Sequence, residues 1–253
     1  MDNDEPILKA SEFIAYKRAH GQLDDFPAPQ AVLFLPQASL AKYVLRRHSS
    51  RRVKGFLGGF HVLKRTDGQI AVSTDFGVGA PAIAGLTDEF AALGVKQFAL
   101  IGLAGGLQRD LSAGSLVISN RAIRGEGVSR HYLPSNSTVD SSENLVHGLS
   151  ELLTKQNHNF SVGTTWTTDA PFREIRRDVV EYQRQGVLAV DMEAAALLSV
   201  AASLNLSAIA AFSIADLLSD GVWRTSHNLR PAQTGLTLLF DAVYEYFTNQ
   251  LRK

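Results

Sequence analysis

The sequence predicts an α/β fold: a single domain in which a mixed central β-sheet is flanked by helices. Helix-like and strand-like segments alternate over most of the chain, as they do when helices cover a largely parallel sheet. Several short runs are apolar at nearly every position, which is typical of strands buried on both faces. The length of 253 residues suits one domain of this class.

The first part of the chain contains local signals for each predicted element. In chain order it predicts a helix, a strand, a helix, two or three strands and a helix, over residues 6–24, 31–35, 39–47, 53–74 and 82–93. Pro36 ends the first strand, Asp67-Gly68 is a hairpin signal, and Gly94 closes the last helix. Residues 1–30 are interpreted as an N-terminal helical extension and residues 31–253 as the α/β domain.

The second part continues the alternation. Strands are predicted at 97–103, 115–119, 161–167, 186–190 and 208–214, and helices at 143–155, 175–185, 192–204 and 233–251. Residues 104–106 are interpreted as a tight glycine loop, and residues 125–134 as an extended polar loop.

Composition excludes several classes of function. The 25 basic and 25 acidic residues balance, so neither a nucleic acid nor a membrane surface is an expected partner. The absence of cysteine excludes disulfides and thiolate chemistry, and the seven histidines lack metal-ligand spacing, so no metal is expected. Neither a dinucleotide-binding fingerprint nor a P-loop is present, so no organic cofactor is expected. The acidic start and the lack of a long apolar run predict a cytoplasmic protein.

Three segments at predicted strand ends hold chemically useful groups. The glycines at 102–106 either allow close backbone approach to a ligand or form a tight turn. Residues 191–193 (DME) either cap a helix or place a carboxylate near a pair of hydroxyls. Asp216 either caps a turn or shares a proton with a heteroaromatic nitrogen.

Taken together, five segments in order resemble the nucleoside phosphorylase family, in its hexameric branch of purine nucleoside and uridine phosphorylases. They are residues 77–81 (GVGAP), 101–107 (IGLAGGL), 124–134, 167–174 (TTDAPFRE) and 190–195 (VDMEAA). The resemblance implies that the chain is an enzyme, a pentosyltransferase of purine salvage. It would cleave the N-glycosidic bond of a nucleoside, in the first place a purine nucleoside, by phosphorolysis to free base and ribose 1-phosphate.

The resemblance also implies roles for individual residues. Glu193 would hold the ribose hydroxyls, Met192 would pack beneath the sugar, and Asp216 would hydrogen-bond or protonate N7 of the purine. Phe172 and Trp166 would stack on the base, with core packing as their alternative.

Further substrate contacts follow from the same resemblance. Gly105 and Gly106 would lie against the substrate, and Arg173 would serve a pyrimidine base if the substrate were uridine. Inorganic phosphate is the expected co-substrate, and a homo-oligomer, from dimer to hexamer, is expected because subunits of this family complete each other's sites.

The expected phosphate site departs from the family pattern. Leu100 and Leu103 stand where the family has an Arg and a Thr or Ser, and residues 36–41 (PQASLA) replace its G-D-P-x-R segment. Leucines donate no hydrogen bonds to a dianion. Lys54 matches an Arg that the family sends into the neighbouring subunit, and Arg130 is a second candidate for the phosphate.

Two alternatives therefore stand beside phosphorolysis. A hydrolytic nucleosidase on the same fold would explain the two leucines, with Glu126, Asp169 or Glu12 as the general base. A nucleoside-binding protein without turnover is the other alternative, although such a protein has less need of an acid beside the base.

Overall fold

The computed structural model describes residues 6–134, 136–225 and 227–252. Its strands are β1 (Ala31–Leu35), β2 (Ser50–Val53), β3 (Gly59–Leu63), β4 (Ile70–Thr74), β5 (Gln97–Gly106), β6 (Leu116–Gly125), β7 (Thr138–Asp140), β8 (Phe160–Thr168), β9 (Ala189–Asp191), β10 (Ser207–Leu217) and β11 (Arg224–Thr225). Its helices are α1 (Ala10–Ala19), α2 (Ala38–Arg47), α3 (Ala80–Leu93), α4 (Glu143–Lys155), α5 (Arg176–Arg184), α6 (Ala194–Ser203) and α7 (Arg230–Gln250). Across the described ranges, no helix has both the length and the apolar character that a bilayer crossing needs.

The strands form one mixed sheet, as predicted. The order is β11-β10-β6-β8-β9-β5-β1-β4-β3-β2, with β7 added beside β6. A further pairing joins β10 to β5, so β5, β10, β6, β8 and β9 form a closed ring of hydrogen-bonded strands. The β1, β4, β3 and β2 strands extend the sheet from one side of this ring.

Helices cover the sheet because its strands are apolar on both faces. In β1, Val32 and Phe34 belong to one buried cluster, while Ala31, Leu33 and Leu35 belong to another. The first cluster includes most of the alanine-rich helix α6, and the second includes the apolar face of α7. Alternate side chains of one strand thus enter two different cores, as the period of two in a strand requires.

Three strands are longer than the sequence predicts. β5 continues through Gly106, β6 through Gly125 and β10 through Leu217. The interpretation of residues 104–106 as a loop is wrong, since Gly105 and Gly106 pair with β9 on one side and β10 on the other. Neighbouring strands supply the hydrogen bonds here, and a strand held in this way needs no apolar pattern of its own.

The N-terminal helix is bound to the body of the protein by a buried cation. Lys17 in α1 donates from Nζ to the carbonyl oxygen of Gly55 and to Glu89 Oε2 in α3, both at 2.6 Å. The residues before position 6, which belong to the predicted N-terminal extension, lie outside the described ranges.

Candidate active site

A cleft of about 660 Å³ opens at the end of the sheet where β1 and β10 finish. It is lined by Pro36, Gln37, Val78, Leu103, Ala104, Gly105, Pro171, Phe172, Glu174, Val190, Asp191, Met192, Glu193, Ala215, Asp216, Leu218 and Trp223. A second hollow, of about 730 Å³, lies beside the first turn of α7, and none of the predicted site residues lines it. The first cleft is therefore the candidate active site.

Asp191 organises the backbone that leads into α6. Its Oδ1 accepts hydrogen bonds from the backbone N–H of Glu193 at 2.8 Å and of Ala194 at 2.7 Å. The Thr167 hydroxyl also donates to the Asp191 carboxylate and accepts from the N–H of Ala195 at 2.9 Å. Asp191 is therefore the residue that caps α6, and the side chain of Glu193 is not needed for capping.

One carboxylate oxygen of Glu193 accepts a backbone hydrogen bond, and the residue lines the cleft. Its Oε1 accepts a hydrogen bond of 2.6 Å from the N–H of Gly79, which precedes α3. Gly79 adopts φ +96°, a conformation that glycine reaches without the steric penalty of a side chain. The G-x-G-x-P segment and the segment at 190–195 are therefore joined by this hydrogen bond between Gly79 and Glu193.

Burial raises the pKa of both carboxylates. It raises the pKa of Asp191 to about 7, against the opposing effect of the hydrogen bonds that it accepts. It also raises the pKa of Glu193, against the N–H groups of Gly79 and Met192.

Asp216 lies on β10 after an irregularity in the pairing of that strand. The register with β5 shifts between Ile214 and Asp216, so that Asp216 stands opposite Gly105. A Cβ on Gly105 would lie 3.2 Å from Asp216 Oδ1 and 3.2 Å from Val190 Cγ1, so the missing side chain lets these neighbours approach. Asp216 Oδ2 accepts a hydrogen bond of 2.6 Å from the indole N–H of Trp223.

The two acids predicted from the sequence therefore share one cleft. Val190 pairs with Gly105 across one strand spacing, and Asp216 pairs with Gly105 across the next. Two spacings separate Val190 from Asp216 by about 10 Å. Glu193 follows β9 and Asp216 lies on β10, so the two carboxylates reach the cleft from different strands.

Glu174 is a cleft residue that the sequence reasoning missed. It is half-buried, and burial together with the charge of Asp216 raises its pKa to about 7. Its position two residues before α5 gave no pattern of its own. The sequence signal that could have identified Glu174 was its place in residues 167–174, one of the five segments that carry the resemblance.

Of the predicted site residues, the cleft lining includes Glu193, Asp216, Met192, Phe172 and Gly105 and does not include Trp166, Arg173, Gly106, Lys54 and Arg130. Phe172 is 98% exposed, and Trp223, the other aromatic residue of the lining, is 65% exposed. Trp223 was also missed, although it follows Asp216 by only seven residues in the same strand-end segment.

Trp166 and Gly106 lie elsewhere for reasons of packing. Trp166 is buried in a small cluster with Val179 and Val187, its ring centre 4.8 Å from that of Tyr182, so core packing accounts for it. A Cβ on Gly106 would lie 2.7 Å from Leu217 Cδ2 and 3.1 Å from Ile214 Cγ2, so it packs against β10.

The basic residues that were expected at the site are exposed and outside the lining. Arg173 ends a short turn beside Glu174, and Arg130 lies in the loop after β6. Lys54 follows the edge strand β2, where its backbone N–H donates to Asp24. The lining itself holds four carboxylates and, among the described residues, no Lys, Arg or His.

Two leucines and a glutamine stand at positions where the family pattern has residues that bind phosphate. Leu100 is fully buried in the core, and Leu103 lines the cleft. Gln37 also lines the cleft, and its Oε1 is buried with no hydrogen-bond partner in the part of the chain that the structure describes. That oxygen is therefore free to accept a hydrogen bond from a ligand hydroxyl or a water molecule.

The three residues considered as a general base lie outside the cleft. Glu126 accepts from the N–H groups of Val128 and Ser129, and Asp169 accepts from that of Gly127. Glu12 caps the start of α1 through the N–H of Lys9. Each of these three carboxylates therefore accepts hydrogen bonds from backbone N–H groups outside the cleft. The described residues contain no group of three or more His, Asp or Glu arranged to hold a metal ion.

Comparisons with known proteins agree on one family for this chain. The model of a family described as the phosphorylase superfamily matches residues 38–237. The uridine phosphorylase of Salmonella typhimurium is 27% identical over 156 residues, which cover 56% of this chain and 62% of that protein. A DeoD-type purine nucleoside phosphorylase of Bacillus cereus is 28% identical over 178 residues, covering 69% of this chain and 74% of that protein.

A solved structure supports the fold over nearly the whole chain. The AMP nucleosidase of Bacteroides thetaiotaomicron superposes with a TM-score of 0.74 at 21% identity, covering 96% of this chain and 99% of that one.

Proposed function

Because this chain belongs to the phosphorylase superfamily, we propose that its cleft cleaves the N-glycosidic bond of a nucleoside, with water as the acceptor. The relatives are named for nucleoside phosphorylase activity, and among the structural neighbours one is named a uridine phosphorylase and one an AMP nucleosidase. The observation that supports water is the lack of a cation in the cleft, whose lining includes four carboxyl groups and, among the described residues, no Lys, Arg or His.

Negative charge in the cleft suits the sugar more than it suits phosphate. As the bond from C1′ to the base nitrogen breaks, the electron pair leaves with the base and positive charge develops on the ribose. Carboxylates fixed beside that charge stabilise the transition state, since they need no reorganisation. A phosphate dianion would meet no cation among the described lining residues, those carboxylates that are ionised would repel it, and the Leu103 side chain offers it no hydrogen bond.

We assign the sugar to the Glu193 end of the cleft. Glu193 is held by Gly79 through one oxygen and would accept hydrogen bonds from the ribose hydroxyls. Met192 would pack against the sugar face, and the orphaned Gln37 Oε1 would accept a hydrogen bond from the attacking water or from a hydroxyl.

We assign the base to the Asp216 end. Glu174 and Asp216 present acidic groups to its edge, and the exposed rings of Phe172 and Trp223 are available to stack on it. A purine suits this arrangement, because its ring nitrogens accept protons. The guanidinium of Arg173, which would suit a pyrimidine, is outside the lining.

Phosphorolysis is the second candidate, and two observations favour it. The curated relatives are named as phosphorylases. Arg51, Arg52 and Lys54 are exposed at the edge strand β2, where a second copy of the chain could receive them. In that case a homo-oligomer would complete the phosphate site.

The experiment is to incubate the purified protein with inosine, adenosine, guanosine and uridine, with and without phosphate. Release of base without phosphate, together with free ribose, is the expected result. Release only with phosphate, with ribose 1-phosphate as product, would establish phosphorolysis instead. If none of the nucleosides is cleaved under either condition, the proposed activity is wrong.

A further inference from the structure

Two carboxyl groups, those of Asp216 and Glu174, line the same cleft, and their surroundings differ. Asp216 has a hydrogen-bond donor in place, since the indole N–H of Trp223 lies 2.6 Å from its Oδ2. Glu174 lines the same cleft and interacts electrostatically with Asp216. No described residue forms a hydrogen bond or ion pair with the Glu174 side chain.

The other two acids of the cleft lining, Asp191 and Glu193, accept hydrogen bonds from backbone N–H groups, and the remaining charged groups near the pair are engaged elsewhere or exposed. Asp220 binds Arg109 at 2.6 Å and Arg224 at 3.3 Å. Arg173 and Arg176, the basic residues closest to Glu174 along the chain, are exposed. Asp216 is therefore the charge that acts on Glu174.

These surroundings favour a proton on Glu174 at neutral pH. Burial and the neighbouring negative charge of Asp216 raise the pKa of Glu174 to about 7. Two carboxylates that face one space do not ionise together as easily as one alone. An acid whose pKa lies near the working pH is well matched to general acid catalysis.

We propose that Glu174 gives the departing base its proton, and that Asp216, held by the indole N–H of Trp223, is the neighbouring negative charge that keeps this proton on Glu174 until the transfer. This assignment rests on the proposed function. It makes Glu174 a catalytic residue that the resemblance did not identify, and it makes Asp216 the partner of the acid.

The proton transfer balances with the bond that breaks. The C1′–N9 bond of a purine nucleoside breaks and its electron pair goes to the base, while the Glu174 proton moves to a ring nitrogen such as N7. The oxygen of water bonds to C1′ and its proton passes to solvent. Glu174 then regains a proton from solvent.

The test compares two substrates that differ in their need for an acid. Inosine needs a proton on its leaving group, whereas p-nitrophenyl β-D-ribofuranoside releases a stable phenolate without one. Glu174→Gln keeps the shape of the side chain and removes its acid. Glu181→Gln makes the same change on the exposed face of α5, outside the cleft.

The expected result is a selective loss. Glu174→Gln lowers kcat/KM for inosine about 100-fold and leaves the nitrophenyl riboside close to the wild-type value, while Glu181→Gln changes neither. In the wild type, kcat/KM for inosine falls as pH rises through 7, and Glu174→Gln lacks that decline. Equal losses on both substrates, no loss, or a decline that persists in Glu174→Gln but disappears in Asp216→Asn would overturn the proposal.

Binding of hypoxanthine, measured by calorimetry, tests Glu174 without turnover. The wild type should bind more tightly below pH 7 than above it, and Glu174→Gln should bind with the same affinity on both sides. If the wild type cleaves no nucleoside, the proposed function and the proton transfer that rests on it are both wrong, whereas cleavage together with a pH-independent affinity for hypoxanthine overturns the role of Glu174 alone. Absence of binding, or a pH dependence that the variant retains, would overturn that role.

Discussion

Asp191 and Glu193 are separated by one residue, yet the fold uses their carboxylates in different ways. Asp191 accepts hydrogen bonds from the backbone that starts α6, whereas Glu193 accepts one from Gly79 at the cleft wall. The sequence pattern could place both at a strand end. It could not divide the two roles, because that division depends on the N–H of a residue 114 positions away.

Replacement of Glu193 by Gln should reduce activity far more than stability. The amide keeps an acceptor for the Gly79 N–H but loses the charge that would face the ribosyl cation. We expect kcat/KM for inosine to fall by at least about 100-fold, with little change in melting temperature.

The matched control is Glu151→Gln, on the exposed surface of α4. It should leave both activity and melting temperature near the wild-type values. Unchanged activity in Glu193→Gln would remove Glu193 from the ribose site.

Aromatic residues show the limit of prediction at this scale. Trp166 and Trp223 both stand near strand ends in the sequence, but the first is buried against Tyr182 and the second is exposed in the cleft. A tryptophan looks the same in the sequence whether it is buried or exposed, so only the packing of the fold distinguishes Trp166 from Trp223.

At the scale of elements, most strands and helices could be predicted from local patterns, and the differences have one cause. β5 and β10 continue past their apolar runs because each pairs with the other through the glycine segment. β7 and β11 are short and polar and were not predicted, since they form by pairing at the ends of β6 and β10. Tertiary hydrogen bonds, which a local pattern does not contain, set these boundaries.

The glycine segment of β5 gives a prediction about the floor of the cleft. In Gly105→Ala the new methyl would lie 2.7 Å from Leu218 Cδ1 and 3.2 Å from Asp216 Oδ1, so neighbours must move. We expect kcat/KM for inosine to fall about tenfold or more, because a small displacement at a reacting site has a large effect. Steady-state kinetics and a melting curve measure the two effects separately.

Gly85→Ala makes the same substitution in α3, where a Cβ meets nothing within 4 Å. It should raise stability by up to about 1 kcal/mol, since alanine favours helix, and leave activity unchanged. A Gly105→Ala enzyme that matched Gly85→Ala in activity would show that the floor of the cleft tolerates a methyl group.

At the scale of the whole molecule, the stability of the fold should depend on the ionisation of Asp191. The pKa of this buried carboxyl is raised from 3.8 to about 7, so the folded state binds more protons than the unfolded state between those values. The free energy of unfolding therefore falls as pH rises through this window, and the loss is complete above it.

Asp191→Asn removes this titration and keeps an oxygen that can accept the same backbone N–H groups. Relative to this variant, the wild type should lose up to about 1.4 kcal/mol of unfolding free energy per pH unit across the window. Denaturant unfolding at two pH values measures the difference. The exposed Asp110→Asn variant should show no such trend, and a constant difference for Asp191→Asn would contradict the prediction.

The general architecture and the placement of Glu193 and Asp216 in one cleft could be predicted, since both depend on strands whose apolar runs are clear in the sequence. The charge of the cleft could not be predicted in the same way. It depends on Glu174 joining from a turn before α5 and on Lys54, Arg130 and Arg173 lying outside the lining. These are relations between loops, and loop positions follow from packing as much as from local pattern.

The central claim is that one nucleoside spans the cleft from Glu193 to Asp216. A structure with an uncleavable nucleoside, in which a carbon–carbon bond joins ribose to a purine-like base, tests it most directly. We predict the ribose hydroxyls within about 3 Å of the Glu193 carboxylate and the base edge facing Glu174 and Asp216. An analogue bound outside this cleft, or with its sugar at Asp216 and its base at Glu193, would contradict the account.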